Sequence, residues 1–220
     1  IHALQVEGDT VYVGGAFTQL GNPLADTARL SLAALDRQTG DLLDWNPGTD
    51  GVVNTLAIDA GVIYAGGSFS EAAALPQQNL AAFDALAVLQ PWNAATDAPV
   101  RSLLVSGTSI YVGGDFILAG AGSADTDRLR LAAFDNAGAL LGWNPGADNS
   151  VHTLTALNGA IYAGGDFLFA GGGSANTGRS HLAAFDTGGT LLDWNPGTDA
   201  VVVSLSAMMN TLYAVGEFSE

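Results

Sequence analysis

The 220-residue chain is 48% hydrophobic, holds no Cys, and carries 22 acidic against 6 basic residues for a formal charge of −16. The missing Cys excludes disulfide scaffolds, thiolate zinc sites and thiol nucleophiles. The acidity repels phosphate backbones, so nucleic acid and anionic membranes are poor partners. No apolar run approaches the ~18 residues of a spanning helix, and no charged segment leads into an apolar stretch, so neither membrane insertion within this segment nor a signal peptide is expected.

Taken in order, the chain repeats itself. Tyr12, Tyr64, Tyr111, Tyr162 and Tyr213 stand 52, 47, 51 and 51 residues apart, and each opens a Tyr-x-Gly-Gly-x-Phe segment that relaxes in the last copy to Tyr213-Ala214-Val215-Gly216-Glu217-Phe218. A Leu-Ala-Ala-Phe/Leu-Asp run follows at 32–36, 80–84, 131–135 and 182–186, and a Leu-rich run then leads to Trp45, Trp92, Trp143 and Trp194. In the second copy the segments 53–58, 62–69, 80–84 and 88–92 alternate or are rich in β-branched and aromatic residues, with turn residues between them. Gly and Asn interrupt every stretch before a helical stripe reaches a useful length. The expected fold class is therefore all-β: a β-propeller with four-stranded blades of about 50 residues. One domain, 1–220, divides into units 1–48, 52–95, 99–146 and 150–197 and a partial unit 201–220.

That count is four blades plus half a blade. The N-terminus offers no spare strands to complete the fifth unit, so the usual ring closure is not expected. An unpaired β edge is an assembly hazard, which predicts that the native chain is longer or that copies complete each other.

Several columns repeat with the fold and read as structural. Asp36, Asp84, Asp135 and Asp186 end the Leu-Ala-Ala runs, and Asp50, Asp97, Asp148 and Asp199 follow the Trp turns; both sets suit side-chain capping of turns. The Gly doublets suit a bulge or a close backbone approach. The Trp rings suit cover for neighbouring units, with each indole N–H seeking an acceptor. Arg29, Arg128 and Arg179, with Asn79 in the shorter second copy, suit charge-assisted bonds that fix a loop.

Two columns vary while the fold holds. The position after the Gly doublet reads Ala16, Ser68, Asp115, Asp166, Glu217, and the three carboxylates are candidate ligands for a hard cation such as Ca²⁺. The second position of the first strand reads His2, Asn54, Arg101, His152, Val203; the first four are candidate ligand-binding residues. No phosphate-gripping loop occurs, and no Ser-His-Asp set can be nominated around His181, so no catalytic residue is assigned.

The run Ile110-Tyr111-Val112-Gly113-Gly114-Asp115-Phe116, with Leu131-Ala132-Ala133-Phe134-Asp135 and Trp143, resembles a kelch-like propeller repeat and, more closely, the bacterial delta-60-type repeat. This resemblance covers essentially the whole chain. It implies that the segment 53–56 and its counterparts line a central channel, while activities in such families are diverse. The segment 34–40, ending at Trp45, also resembles the tryptophan-docking repeats of quinoprotein dehydrogenase propellers. The expectation is a non-catalytic structural or interaction module of a secreted or cell-surface prokaryotic protein, partnered by protein or by copies of itself. The alternative is a propeller that binds carbohydrate or a Ca²⁺-dependent ligand, or a quinoprotein-like enzyme.

Overall fold

The computed structural model describes residues 1–21 and 27–219; residues 22–26 and 220, which belong to the first and last of the expected units, lie outside it. The first unit holds β1 (Ala3–Glu7), β2 (Thr10–Gly14), β3 (Gln19–Leu20), β4 (Thr27–Ala28) and β5 (Leu32–Asp36). The second holds β6 (Val52–Asp59), β7 (Val62–Ser68), β8 (Glu71–Ala72), β9 (Leu75–Pro76) and β10 (Leu80–Phe83). After β11 (Ala94–Thr96) come β12 (Val100–Ser106), β13 (Ser109–Gly114), β14 (Leu118–Ala121), β15 (Thr126–Asp127) and β16 (Leu131–Asp135). The fourth unit holds β17 (Val151–Leu157), β18 (Ala160–Gly165), β19 (Phe169–Ala170), β20 (Thr177–Gly178) and β21 (Leu182–Phe185), and the chain ends in β22 (Val202–Met208) and β23 (Thr211–Gly216).

The principal sheet of each of the first four units is antiparallel, with three strands ordered first, second, third along the chain: β1-β2-β5, β6-β7-β10, β12-β13-β16 and β17-β18-β21. That of the last unit, β22-β23, has two strands. No helix occurs among the described residues, and so none is long and apolar enough to cross a membrane. The all-β expectation holds, with one correction to blade anatomy. The expected fourth strand shrinks in each of the first four units to a single bridge, Leu35 to Leu42, Phe83 to Leu89, Phe134 to Leu140 and Phe185 to Leu191. The physical reason is chain direction: the turn residues between each bridge and its Trp, such as Asp44, Pro91 and Gly142, leave room for one bridge before the chain departs.

The core lies between units, because each sheet buries one face on the next. Tyr64, Leu80, Ala82 and Trp92 of the second unit pack with Val100, Leu103, Ile110, Phe116 and Phe134 of the third. An aromatic relay repeats across the seams: Trp45 meets Tyr12 at 5.0 Å and Phe83 of the next unit at 6.0 Å, both edge-on. The Trp45 indole N–H donates to the Asp84 carbonyl, and Trp92 and Trp143 do the same to Asp135 and Asp186 at 2.9 and 3.1 Å. Burying these rings with a satisfied N–H combines area burial with directionality.

Glycine sets the spacing of the seams. A Cβ on Gly113 would stand 2.7 Å from Cγ1 of Val151, the first residue of the next unit's sheet; Gly14, Gly66 and Gly164 seat Val53, Val100 and Val202 with a gap of 2.6 Å. A hydroxyl column reinforces the contact, with Thr55, Ser102 and Thr153 accepting from the backbone N–H of Leu103, Leu154 and Leu205 at 3.1, 2.9 and 3.0 Å.

Candidate functional site

The inner strand of each of the last four units carries an irregularity at one place: pairing of β6 with β7 skips from Val53 to Thr55, and the same skip occurs at Val100/Ser102, Val151/Thr153 and Val202/Ser204. A bulge frees one residue from the ladder and re-aims its side chain. The freed residues are Asn54, Arg101, His152 and Val203. Together with His2 they line a single cavity of about 440 Å³, so one side chain from each of the five units converges there. The second Gly of each doublet makes the bulge feasible: a Cβ on Gly67 or Gly165 would fall about 2 Å from the carbonyl oxygen of Val52 or Ser150.

Two of the lining side chains are held from behind by carboxylates. Arg101 Nε donates to Asp115 Oδ1 at 2.6 Å, and His152 Nε2 stands 3.0 Å from Asp166 Oδ2. Burial opposes ionisation of Asp115, but hydrogen bonds from Arg101 and Ser150, with the charges of Arg101 and His152, outweigh it and hold this carboxyl below its usual range. The same hydrogen bond raises the Arg101 guanidinium above its ordinary value, against its partial burial and with help from the Asp115 and Asp166 charges. Asn54 is committed differently, its Nδ2 donating to the Val100 carbonyl at 2.9 Å. His2 is exposed on the cavity rim. The result is two polar pairs side by side: the Arg101 guanidinium and the His152 imidazole line the cavity, and each meets a carboxylate.

Two of the three carboxylates in the column thus brace a lining side chain. Asp115 and Asp166 each face a basic side chain, and Glu217 is exposed on the last strand's end. Among the described residues, no three His, Asp or Glu side chains stand close enough to hold a metal ion together.

The repeated columns perform the turn and loop tasks expected of them. Asp36 Oδ1 accepts from the N–H groups of Gln38 and Thr39 at 2.8 Å, and Asp84, Asp135 and Asp186 cap the equivalent turn, one residue shorter, through the N–H groups two and four residues on. The Thr39 and Gln38 N–H groups hold the Asp36 carboxyl below its ordinary value. Asp97 and Asp148 tie one unit to the next by accepting from Ile117 and Leu118, and from Leu168 and Phe169. Arg29, Arg128 and Arg179 reach carbonyls, with Nη2 donating to the carbonyls of Leu43, Leu141 and Leu192 at 2.8, 3.0 and 2.9 Å. One alignment is corrected. Asn79 belongs with Ser31, Arg130 and His181, all at φ of 63 to 66° immediately before the third strand of the sheet. The Arg column is filled by Gln77, whose N–H bonds Ser70 as the Arg N–H groups bond Thr18, Ile117 and Leu168.

No family model matches the chain, and no curated protein does. Solved structures do resemble it. The computationally designed Ika4 protein shares 15% identity at a TM-score of 0.56, over 84% of this chain and 90% of Ika4. The computationally designed Ika8 protein shares 16% at 0.54, over 96% of this chain and 66% of Ika8. The WD40 β-propeller domain of Doa1 shares 14% at 0.53, over 96% of this chain and 74% of that one. At such identities the likeness speaks to fold alone: this chain has a propeller-repeat fold.

Proposed function

We propose that the chain is a non-catalytic structural and interaction module of a secreted or cell-surface prokaryotic protein, of the kelch-like or delta-60 type, which self-associates through its β edges. One observation carries this reading: the propeller-repeat frame presents exposed apolar side chains on its interior units, among them Leu75, Leu86, Val88, Ile117 and Leu168, and exposed apolar surface suits contact with a protein partner. Light scattering across a range of protein concentration tests self-association; a species of 22.3 kDa throughout would overturn it.

A second reading is favoured by the shared cavity. Convergence of His2, Arg101 and His152 on one concave surface suits a small polar ligand such as a carbohydrate, and Ca²⁺ would enter through Asp115 and Asp166 only by displacing their basic partners. Calorimetric titration with simple sugars and with Ca²⁺ separates the two, and heat that persists in an Asp115→Asn/Asp166→Asn variant excludes the cation.

A further inference from the structure

The cavity gathers basic side chains from an acidic chain. The sequence has 6 basic residues and 3 His against 22 acidic ones, yet the five lining side chains include one Arg and two His and no carboxylate. Three of the lining residues, all from interior units and all aimed by the same bulge, have one polar edge committed and another free. Arg101 spends its Nε on Asp115 Oδ1 at 2.6 Å; its Nη1 and Nη2 have no acceptor among the described residues, on a side chain that is 42% exposed. His152 meets Asp166 through Nε2 at 3.0 Å, which in the neutral ring requires the proton on that nitrogen and leaves Nδ1 as a free acceptor. Asn54 donates Nδ2 to the Val100 carbonyl, so its Oδ1 is a second free acceptor.

We infer that the cavity binds a small hydroxy acid of the sugar-acid type, with its carboxylate across Arg101 Nη1 and Nη2 and its hydroxyls on Asn54 and His152. The inference deepens the ligand-binding reading of the cavity and rests on it. The guanidinium fork selects the carboxylate, because two parallel N–H groups on a planar cation match the two oxygens of one carboxylate, whereas a pair of hydroxyls brings no charge to them. Asp115 readies the fork by holding Nε from the side, so less side-chain freedom is lost on binding. The free acceptors select the hydroxyls, since a bare carboxylate brings no donor to Asn54 Oδ1 or His152 Nδ1. A volume of about 440 Å³ suits one molecule of this size. The opposing charges at close range are Asp115 and Asp166, which stand outside the lining and each face a basic side chain. Acidic residues farther away than about 8 Å are largely screened at physiological salt.

The test is calorimetric titration of the intact chain with three probes, D-glucuronate, D-glucose and acetate, together with ¹H–¹⁵N NMR. Glucuronate should bind saturably and about tenfold or more tightly than either of the others. It should shift the Arg101 guanidinium and Asn54 side-chain amide resonances while the indoles of Trp92 and Trp143, buried in the seams, stay unmoved. Arg101→Lys, which keeps the charge without the fork, should weaken glucuronate about tenfold; the spectra of the parent chain decide the matter even if that variant folds poorly. Glucose binding as tightly as glucuronate would overturn the carboxylate assignment and leave the ligand-binding reading standing. Acetate binding as tightly as glucuronate would overturn the hydroxyl assignment, and shifts confined to residues outside the cavity would overturn the site. Absence of both heat and shifts with all three probes at tens of millimolar would overturn the ligand-binding reading together with the inference.

Discussion

Gly113→Ala is the sharpest probe of how these units stack. The new methyl would lie 2.7 Å from Val151 Cγ1, 3.3 Å from Val151 Cβ and 3.4 Å from Leu154 Cδ1, and Val151 is fully buried, with no loose end to yield. Overpacking of this kind costs about 1–3 kcal/mol. Val151→Ala removes two methyl groups from the same seam and costs about 2 kcal/mol by lost burial and cavity formation. In the double variant the methyl introduced by Gly113→Ala occupies part of the space vacated by Val151, so the two costs should fall short of their sum by about 1–2 kcal/mol. Urea unfolding followed by circular dichroism supplies the four corners of the cycle, with Gly142→Ala, whose Cβ would meet nothing within 4 Å, as a neutral control. Additive costs, or a Gly113→Ala variant within about 0.5 kcal/mol of the parent, a change ordinary for surface sites, would refute the seat-and-knob account.

Three further outcomes follow from the same geometry. Trp143→Phe leaves the Asp186 carbonyl without its indole donor and should cost about 2 kcal/mol in urea unfolding, while Trp194→Phe, half-buried and unbonded, should cost less than half as much. His181 sits at φ 66°, where a β-branched residue is strained, so His181→Val should destabilise by about 1–2 kcal/mol and His181→Gly by much less; thermal melts decide between them. Asp115 lies below its ordinary pKa when folded; its contribution to stability is therefore complete above the unfolded value near 3.9 and is lost as pH falls through the folded one. Arg101→Gln takes away the strongest opposing influence on that partly buried carboxyl, so acid unfolding should begin at higher pH; an unmoved acid limb would show that the pair carries no linkage.

Much of the architecture is legible in the sequence because its constraints recur. Tyr, Trp and the Gly doublet each return at a nearly constant interval, and the strands begin where alternation begins. The expected fourth strand fails because 88–92 has the composition of a strand while Pro91 and the turn into Trp92 leave it a single bridge. Hairpins of two-residue strands, such as β8 with β9, fall below any periodic signal. Asn79 misaligns when the shorter second loop is counted forward from the Gly doublet; counted back from Leu80, it falls on the left-handed position. The cavity column stands out by its variability, and the five-way convergence follows from the repeat. That Asp115 faces Arg101 is hidden, since 14 residues of strand, turn and bulge separate them and only the fold decides which basic group meets which acid.

The seating of each Val on a Gly has a consequence for how such a chain grows and diversifies. Within one unit the Val lies on the incoming face and the Gly on the outgoing face, so a duplicated or deleted whole unit reconstitutes every junction without a compensating change. The bulged neighbour of that Val is no part of this seat, and only Asn54 reaches across a junction, to the Val100 carbonyl. Selection on assembly therefore constrains the column weakly, and His, Asn, Arg, His and Val succeed one another there over a nearly invariant frame. A scaffold built this way separates heredity of shape from choice of surface: length can drift by whole modules while the wall of the cavity is rewritten one residue at a time.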